Sequence, residues 1–239
     1  MDFYSLFKNR KPLIGMIHTN KTQSVGMLDL AMREIDLYLK HGVYPLVENY
    51  YGSVADCEQV LAWLHEAHPE AVFGVNILGR QSEAFRLAGM YGAKFIQVDS
   101  VCGHLEPKND AAYAERLAEL RKTVDVVLLG GVRFKYQPVC PGRTLEEDLL
   151  LGMERCDAIV CTGEGTGIPT PMGKVEEFKA VLNDFPVVVG AGVTLNTVAE
   201  TFEKADGAIV GTWVKTNHET NRPVDETLLT QLKQQINEL

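Results

Sequence analysis

Pro186-Val187-Val188-Val189-Gly190-Ala191-Gly192-Val193-Thr194 and Gly207-Ala208-Ile209-Val210-Gly211-Thr212-Trp213-Val214-Lys215 each carry an apolar run straight into a glycine-containing turn. Neither run alternates polar with apolar residues. A strand exposed on one face reads as an alternation, whereas a parallel strand covered on both faces reads as a continuous apolar run. The two stretches therefore predict buried parallel strands with helices packed outside them.

Working outward, the same unit recurs along the chain. Candidate strands lie at Pro12–His18, Val43–Asn49, Ala71–Ile77, Lys94–Asp99, Val124–Arg133 and Asp157–Thr162, which makes Pro186–Gly190 and Gly207–Gly211 the seventh and eighth. Their spacing of about 30 residues is the length of a βα unit. The segments between them carry helical spacing. After Asn109-Asp110, Tyr113, Leu117 and Leu120 share a face, while Glu115, Arg116 and Glu119 point elsewhere. Val175, Phe178, Val181 and Leu182 repeat the pattern, and Thr194 is placed to cap the helix carrying Val198 and Phe202. Val224–Ile236, with Leu228, Leu229 and Leu232, reads as the final helix. Eight such units can close so that every sheet edge is paired, whereas an open doubly wound sheet usually has fewer strands. The expected architecture is α/β: one (β/α)8 TIM-barrel domain over residues 1–239, with its barrel core at about 11–236, of the phosphate-binding type.

Composition agrees with one such domain. The chain has 239 residues, 46% of them hydrophobic, enough for a sizeable core, and 23% charged. The net charge of −9, with no block of Lys or Arg, argues against nucleic acid as a partner. Cys57, Cys102, Cys140, Cys156 and Cys161 are odd in number and contain no C-x-x-C pair, which predicts free thiols in a reducing compartment. No apolar run reaches the roughly 18–20 residues of a membrane span. Met1-Asp2-Phe3-Tyr4-Ser5-Leu6-Phe7-Lys8 lacks the basic start and apolar block of a secretory signal. The expectation is a cytoplasmic protein with no integral membrane segment. Its sequence leaves the choice between monomer and homo-oligomer open.

In this architecture the chemistry sits where the strands run out. The residues there are His18, Glu48 with Asn49, Asn76, Asp99, Arg133 with Lys135, Thr162, and the two glycine turns. Phosphate sites in such barrels use the loops after strands seven and eight. Gly190, Gly192, Gly211, Thr212 and Trp213 are the candidate phosphate-binding residues, because glycine lets backbone N–H groups approach an anion. Thr212 can add a hydroxyl and Lys215 a charge. The same glycines would also serve a plain tight turn. Thr162-Gly163-Glu164-Gly165-Thr166-Gly167-Ile168-Pro169-Thr170 reads as a pocket-lining loop able to close, or as a simple connection. His18 is a general acid/base candidate or a hydrogen-bonded barrel residue, and Glu48 a catalytic or an ion-paired carboxylate. Lys135 suits anion binding, stabilisation of an enolate, or a Schiff base. Asp99, Cys102 and His104 are metal-ligand types, but their spacing matches no specific site, so no metal or other cofactor is expected.

These motifs have a familiar combination. Lys11-Pro12-Leu13-Ile14-Gly15-Met16-Ile17-His18, Val47-Glu48-Asn49-Tyr50-Tyr51-Gly52 and Phe73-Gly74-Val75-Asn76-Ile77-Leu78 resemble the BtpA/SgcQ family, as do Thr166-Gly167-Ile168-Pro169 and both glycine turns. The resemblance spans about residues 11–236. It implies a TIM barrel. One branch of the family is named for photosystem I biogenesis, and another is associated with sugar-utilisation genes. The resemblance supplies pocket positions (His18, Glu48, Asn49, Asn76, Lys135 and the glycine loops) and no catalytic role. The sequence departs from the family pattern after His18, where Thr19-Asn20-Lys21-Thr22 replaces a proline-rich stretch. It departs again at Gly131-Val132-Arg133-Phe134-Lys135-Tyr136, which keeps the lysine and lacks an acid and two imidazoles. At strand four, Asp99 stands where the family has Asn.

Two functions follow as expectations. The first is an enzyme of carbohydrate or nucleotide phosphate metabolism. Its substrate is a phosphorylated small molecule, a sugar phosphate or a nucleotide-like compound, and its reaction an isomerisation, a lyase step or a glycosidic cleavage. His18 and Glu48 serve as acid/base, Lys135 as electrostatic partner, and Asn49, Asn76, Asp99, Arg133, Thr162, Gly163, Gly165 and Thr166 line the pocket. The alternative is a non-catalytic ligand-binding or assembly protein of the BtpA type, favoured by the lost acid and imidazoles of strand five.

Overall fold

Along each apolar run the side chains divide by parity. A strand sends successive residues to opposite faces, so in a closed barrel every second residue enters the interior. In the computed structural model, which describes residues 1–8, 10–22 and 24–239, both faces are buried. On strand β1 (Leu13–Ile17) the side chains of Ile14 and Met16 point inward, while Leu13 and Ile17 pack outward under helices. The same division runs through β2 (Tyr44–Glu48), β3 (Gly74–Asn76), β4 (Phe95–Cys102), β5 (Val127–Val132), β6 (Ala158–Cys161), β7 (Val187–Val189) and β8 (Gly207–Val210). On β7, Val188 faces in and its two valine neighbours face out. That is why the sequence shows runs and not alternations.

The strands form one closed sheet in chain order, all parallel. β8 completes it by pairing with β1, Leu13 opposite Ala208 and Gly15 opposite Val210. Outside lie α2 (Met27–Lys40), α3 (Val54–Ala67), α4 (Gln81–Tyr91), α5 (Pro107–Arg121), α6 (Leu145–Arg155), α7 (Met172–Leu182), α8 (Val198–Lys204) and α9 (Glu226–Asn237). The (β/α)8 TIM barrel expected from the sequence is thus the fold. No helix among the described residues is long and apolar enough to cross a membrane.

Several local expectations change. The N-terminal segment is structured: α1 (Phe3–Leu6), capped by the Asp2 carboxylate, brings Phe3, Leu6 and Phe7 into the barrel's interior core. Phe7 meets Phe95 and Tyr44 edge-on with ring centroids 5.7 and 4.9 Å away, closing the end of the barrel opposite the mouth. β4 runs past Asp99 to Cys102, with a break in register against β5 between Val98 and Cys102. α5 starts at Pro107, so Asp110 lies in its first turn. There the Asp110 carboxylate accepts from Arg155 and Arg143, joining α5 to α6. Thr194 does not cap α8 with its side chain; its carbonyl accepts from Thr197 and Val198. α9 begins at Glu226, two residues later than expected, because the Asp225 side chain takes the cap.

Candidate functional site

The apolar inward layers stop at the C-terminal end of the barrel, and polar residues of the same parity continue them. His18 follows Ile14 and Met16, Glu48 follows Leu46, and Gln97 and Asp99 follow Phe95. They surround a mouth cavity of about 240 Å³. The polar part of its lining is His18, Glu48, Gln97, Asp99 and Lys135; the glycine-rich part is Gly190–Thr194 and Gly211–Trp213, with Gly211 next to His18. Of the residues nominated from sequence, His18, Glu48, Lys135, Asp99, Thr166 and all five candidate phosphate-binding residues line this one cavity.

The polar wall is wired through one side chain. The Asn76 amide nitrogen donates to Glu48 Oε1 at 2.9 Å and to Asp99 Oδ1 at 3.0 Å. Gln97 adds a donation to the same Asp99 oxygen at 3.2 Å. Burial pushes the Glu48 carboxyl up to about 8, with the Asp99 charge adding to the rise and Lys135 and Asn76 opposing it. Asp99 is also raised, by burial, against hydrogen bonds from Asn76 and Gln97. Burial lowers the His18 imidazole to about 3, helped by the charge of Lys215. His18 Nε2 lies 3.8 Å from Glu48 Oε2. Between about pH 3 and pH 8 both groups are neutral, so this contact is not an ion pair near pH 7. His18 Nδ1 is buried without a protein partner.

Lys135 follows β5 and has no carboxylate within ion-pair distance among the described residues; Glu48 and Asp99 are the acids whose fields reach it. Burial lowers its pKa, and those two acids work against the lowering. A carboxyl titrating near neutrality beside an amine of lowered pKa is a pair that can exchange a proton with a ligand.

On the glycine wall, Gly192 has φ +67°. A Cβ there would overlap the backbone of Ile168 and Pro169, so the β7 turn and the loop after β6 are pressed together. Gly211 opens into a 3-10 turn, Thr212–Val214, whose first N–H groups have no acceptor within the turn. Thr212 Oγ1 is 3.0 Å from Thr220 Oγ1. Lys215, nominated to add charge here, is instead buried behind the wall and paired with Glu34 of α2, Nζ to the two carboxylate oxygens at 2.9 and 3.0 Å.

Other nominated residues support the rim without lining the cavity. Asn49 accepts the Leu78 N–H and ties two loops together. Thr162 is fully buried and accepts the Lys135 N–H at 2.9 Å, and the Gly163 N–H donates to Thr170. Gly165 sits between Tyr136 and Ile168. Arg133, with φ +47°, turns its side chain away to Asp148 and the Arg143 carbonyl. Cys102 faces Asp148 on the outer side of β4 and Asp99 faces the mouth, so the two do not converge; among the described residues no metal-binding group of three or more acids, cysteines and histidines occurs. Sequence reading missed Gln97, Tyr50, Tyr136 and His218, all of which line the mouth. Gln97 was legible in principle, since it shares the inward parity of Phe95 and Asp99. Tyr136 was not: its hydroxyl accepts the Thr166 N–H at 2.8 Å, a contact between two loops.

Residues 54–238 match the model of the BtpA family. An uncharacterized protein of Thermococcus kodakarensis is 29% identical, over 90% of this chain and 89% of its own length. One of Methanocaldococcus jannaschii is 28% identical, over 92% of each. The Photosystem I biogenesis protein BtpA of Synechocystis is 23% identical, over 94% of this chain and 88% of its own. Among solved structures, N-(5'-phosphoribosyl)anthranilate isomerase from Pyrococcus furiosus superposes with TM-score 0.60 at 14% identity, covering 96% of this chain and 100% of that one. The 3-hexulose-6-phosphate synthase from Salmonella typhimurium gives 0.63 at 14%, covering 95% and 99%. At that identity the likeness is one of fold.

Proposed function

The chain belongs to the BtpA family, and from that premise we propose that its barrel mouth binds a small phosphorylated molecule in a ligand-binding or assembly role of the BtpA type. The observation that carries the binding is the cavity itself. Gly192, Gly211, Thr212 and Trp213 form one wall, and the backbone N–H groups there suit an anion. The role is weighted by the relative named as a biogenesis protein, and by the replacement of the strand-five acid with Gly131 and of its two imidazoles with Arg133 and Tyr136.

A second reading is catalysis on the same ligand class, a sugar phosphate or nucleotide-like compound, by isomerisation, lyase chemistry or glycosidic cleavage. One observation favours it: Glu48, titrating near pH 8, shares a cavity with the unpaired Lys135. Glu48 would move a proton, and Lys135 would stabilise the charge that develops.

Titration calorimetry with inorganic phosphate, sugar phosphates and nucleotides, followed by NMR of the same mixtures, separates the readings. Saturable binding without turnover supports the first. Turnover abolished by Glu48→Gln and Lys135→Met supports the second. Absence of binding by every phosphorylated compound defeats both.

A further inference from the structure

Beside the mouth lies a second cavity of about 190 Å³, reached between the ends of β3 and β4 and sharing Gln97 and Asp99 as a common wall. Its lining includes Gln81, Ser100, His104 and Gln137 and contains no Lys or Arg. Two buried polar atoms at this cavity have no partner in the protein, Gln97 Oε1 and His104 Nδ1. Gln97 is 5% exposed, and its amide nitrogen is already committed to Asp99. Buried polar atoms are almost always hydrogen-bonded, so two orphans on residues that line one cavity require an account.

Resting on the reading of the mouth as a phosphate site, we propose that this second cavity binds the uncharged, hydroxyl-rich part of the same ligand, a sugar or other polyol moiety. The donor set decides the chemistry. Gln97 Oε1 only accepts, whereas an imidazole nitrogen accepts or donates according to tautomer. A hydroxyl does both, so a run of hydroxyls satisfies both orphans and the nearby amides of Gln81 and Gln137. Asp99 on the shared wall, with no cation facing it from this cavity, turns an anionic group away. Burial also lowers the His104 pKa, which keeps the ring neutral near pH 7. The charge of the ligand therefore goes to the glycine wall, and its polyol part crosses Asp99 into the second cavity.

The test compares affinities of inorganic phosphate, ribose 5-phosphate and free ribose for the wild-type protein, Gln97→Leu and His104→Phe, with circular dichroism as the folding control. Ribose 5-phosphate is expected to bind wild type at least about tenfold more tightly than inorganic phosphate, the worth of one or two added neutral hydrogen bonds. Each variant should lose most of that advantage, and His104→Phe should keep its affinity for inorganic phosphate. Equal affinity of wild type for the two phosphates overturns the proposal, as does an advantage that survives in both variants; the cavity then holds water only. If Gln97→Leu does not fold, His104→Phe decides. If inorganic phosphate binds no protein, the phosphate reading fails separately, and free ribose settles the subsite. Saturable ribose binding lost in His104→Phe upholds it, and no ribose binding overturns it.

Discussion

Lys215 grips Glu34 with both carboxylate oxygens, 2.9 and 3.0 Å from its ammonium nitrogen, where neither residue is more than 4% exposed. The pair joins the segment after β8 to α2, the first helix of the barrel wall. Glu34 Oε1 also accepts the Val224 N–H at 2.9 Å, which fixes the approach to α9. The lysine that looked like a ligand for the anion is thus a fastening across the seam.

Breaking this pair from one side strands a buried charge. Glu34→Ala should destabilise the fold by about 3–5 kcal/mol, and the double variant Glu34→Leu/Lys215→Met should recover a large part of the loss. Urea unfolding of the three proteins measures both effects. A single variant with wild-type stability would contradict the assignment.

The polar wall should make stability depend on pH in two opposite senses. Glu48 is raised to about 8 from an ordinary value of 4.5, so the native state holds a proton that the unfolded chain releases, and stability falls as pH rises from about 4.5 to 8. His18 is lowered to about 3 from 6.5, so its contribution is lost as pH falls from about 6.5 to 3. Asp99, also raised, has the sense of Glu48. Melting temperature should peak between pH 5 and 6. Glu48→Gln should flatten the alkaline side and melt above wild type at pH 8. Parallel curves for the two proteins from pH 5 to 8 would refute the account.

Gly192 has two reasons to be glycine, its φ of +67° and the Ile168–Pro169 backbone lying where a Cβ would go. Gly192→Ala should cost about 2 kcal/mol or more, from backbone strain and overpacking together. It should also weaken phosphate binding, because relieving the overlap moves the loops apart. Thermal melts and phosphate titration of one purified variant test both.

Phe7 is fully buried against Phe95 and Tyr44 at the closed end of the barrel. Phe7→Ala should destabilise by about 3–5 kcal/mol while leaving ligand affinity at the opposite end unchanged. Denaturant midpoints and calorimetry read the two separately.

Regular structure was legible because its cause is local and repetitive. The apolar runs such as Val187-Val188-Val189 declared parallel strands, and their eightfold recurrence declared the closed barrel. Polar strand ends placed His18 and Glu48 in one mouth, since parity and strand direction fix that placement, whereas Lys135 enters it from the turn after β5, where the alternation is broken. What was not legible depended on a partner far along the chain. Lys215 looked free until Glu34 met it, and Arg133 looked like a mouth residue until Asp148 drew it outward. Asn76 gave no sign in sequence that its amide would bridge two acids. Phe3 and Phe7, an unremarked pair near the start, became the floor of the barrel.

The pairing of β8 with β1 also governs how the protein is made. As the chain leaves the ribosome, β1 acquires β2 early, but its other edge stays bare until Ala208–Val210 has been synthesised. Until then β1 and β7 both present unpaired backbone, the kind of edge that recruits other nascent chains. Final closure joins segments from opposite ends of the chain, so it carries a large loop-closure cost and comes late. The vulnerable period of this protein therefore lasts until β8 docks on β1, and the Lys215–Glu34 contact is the latch that ends it.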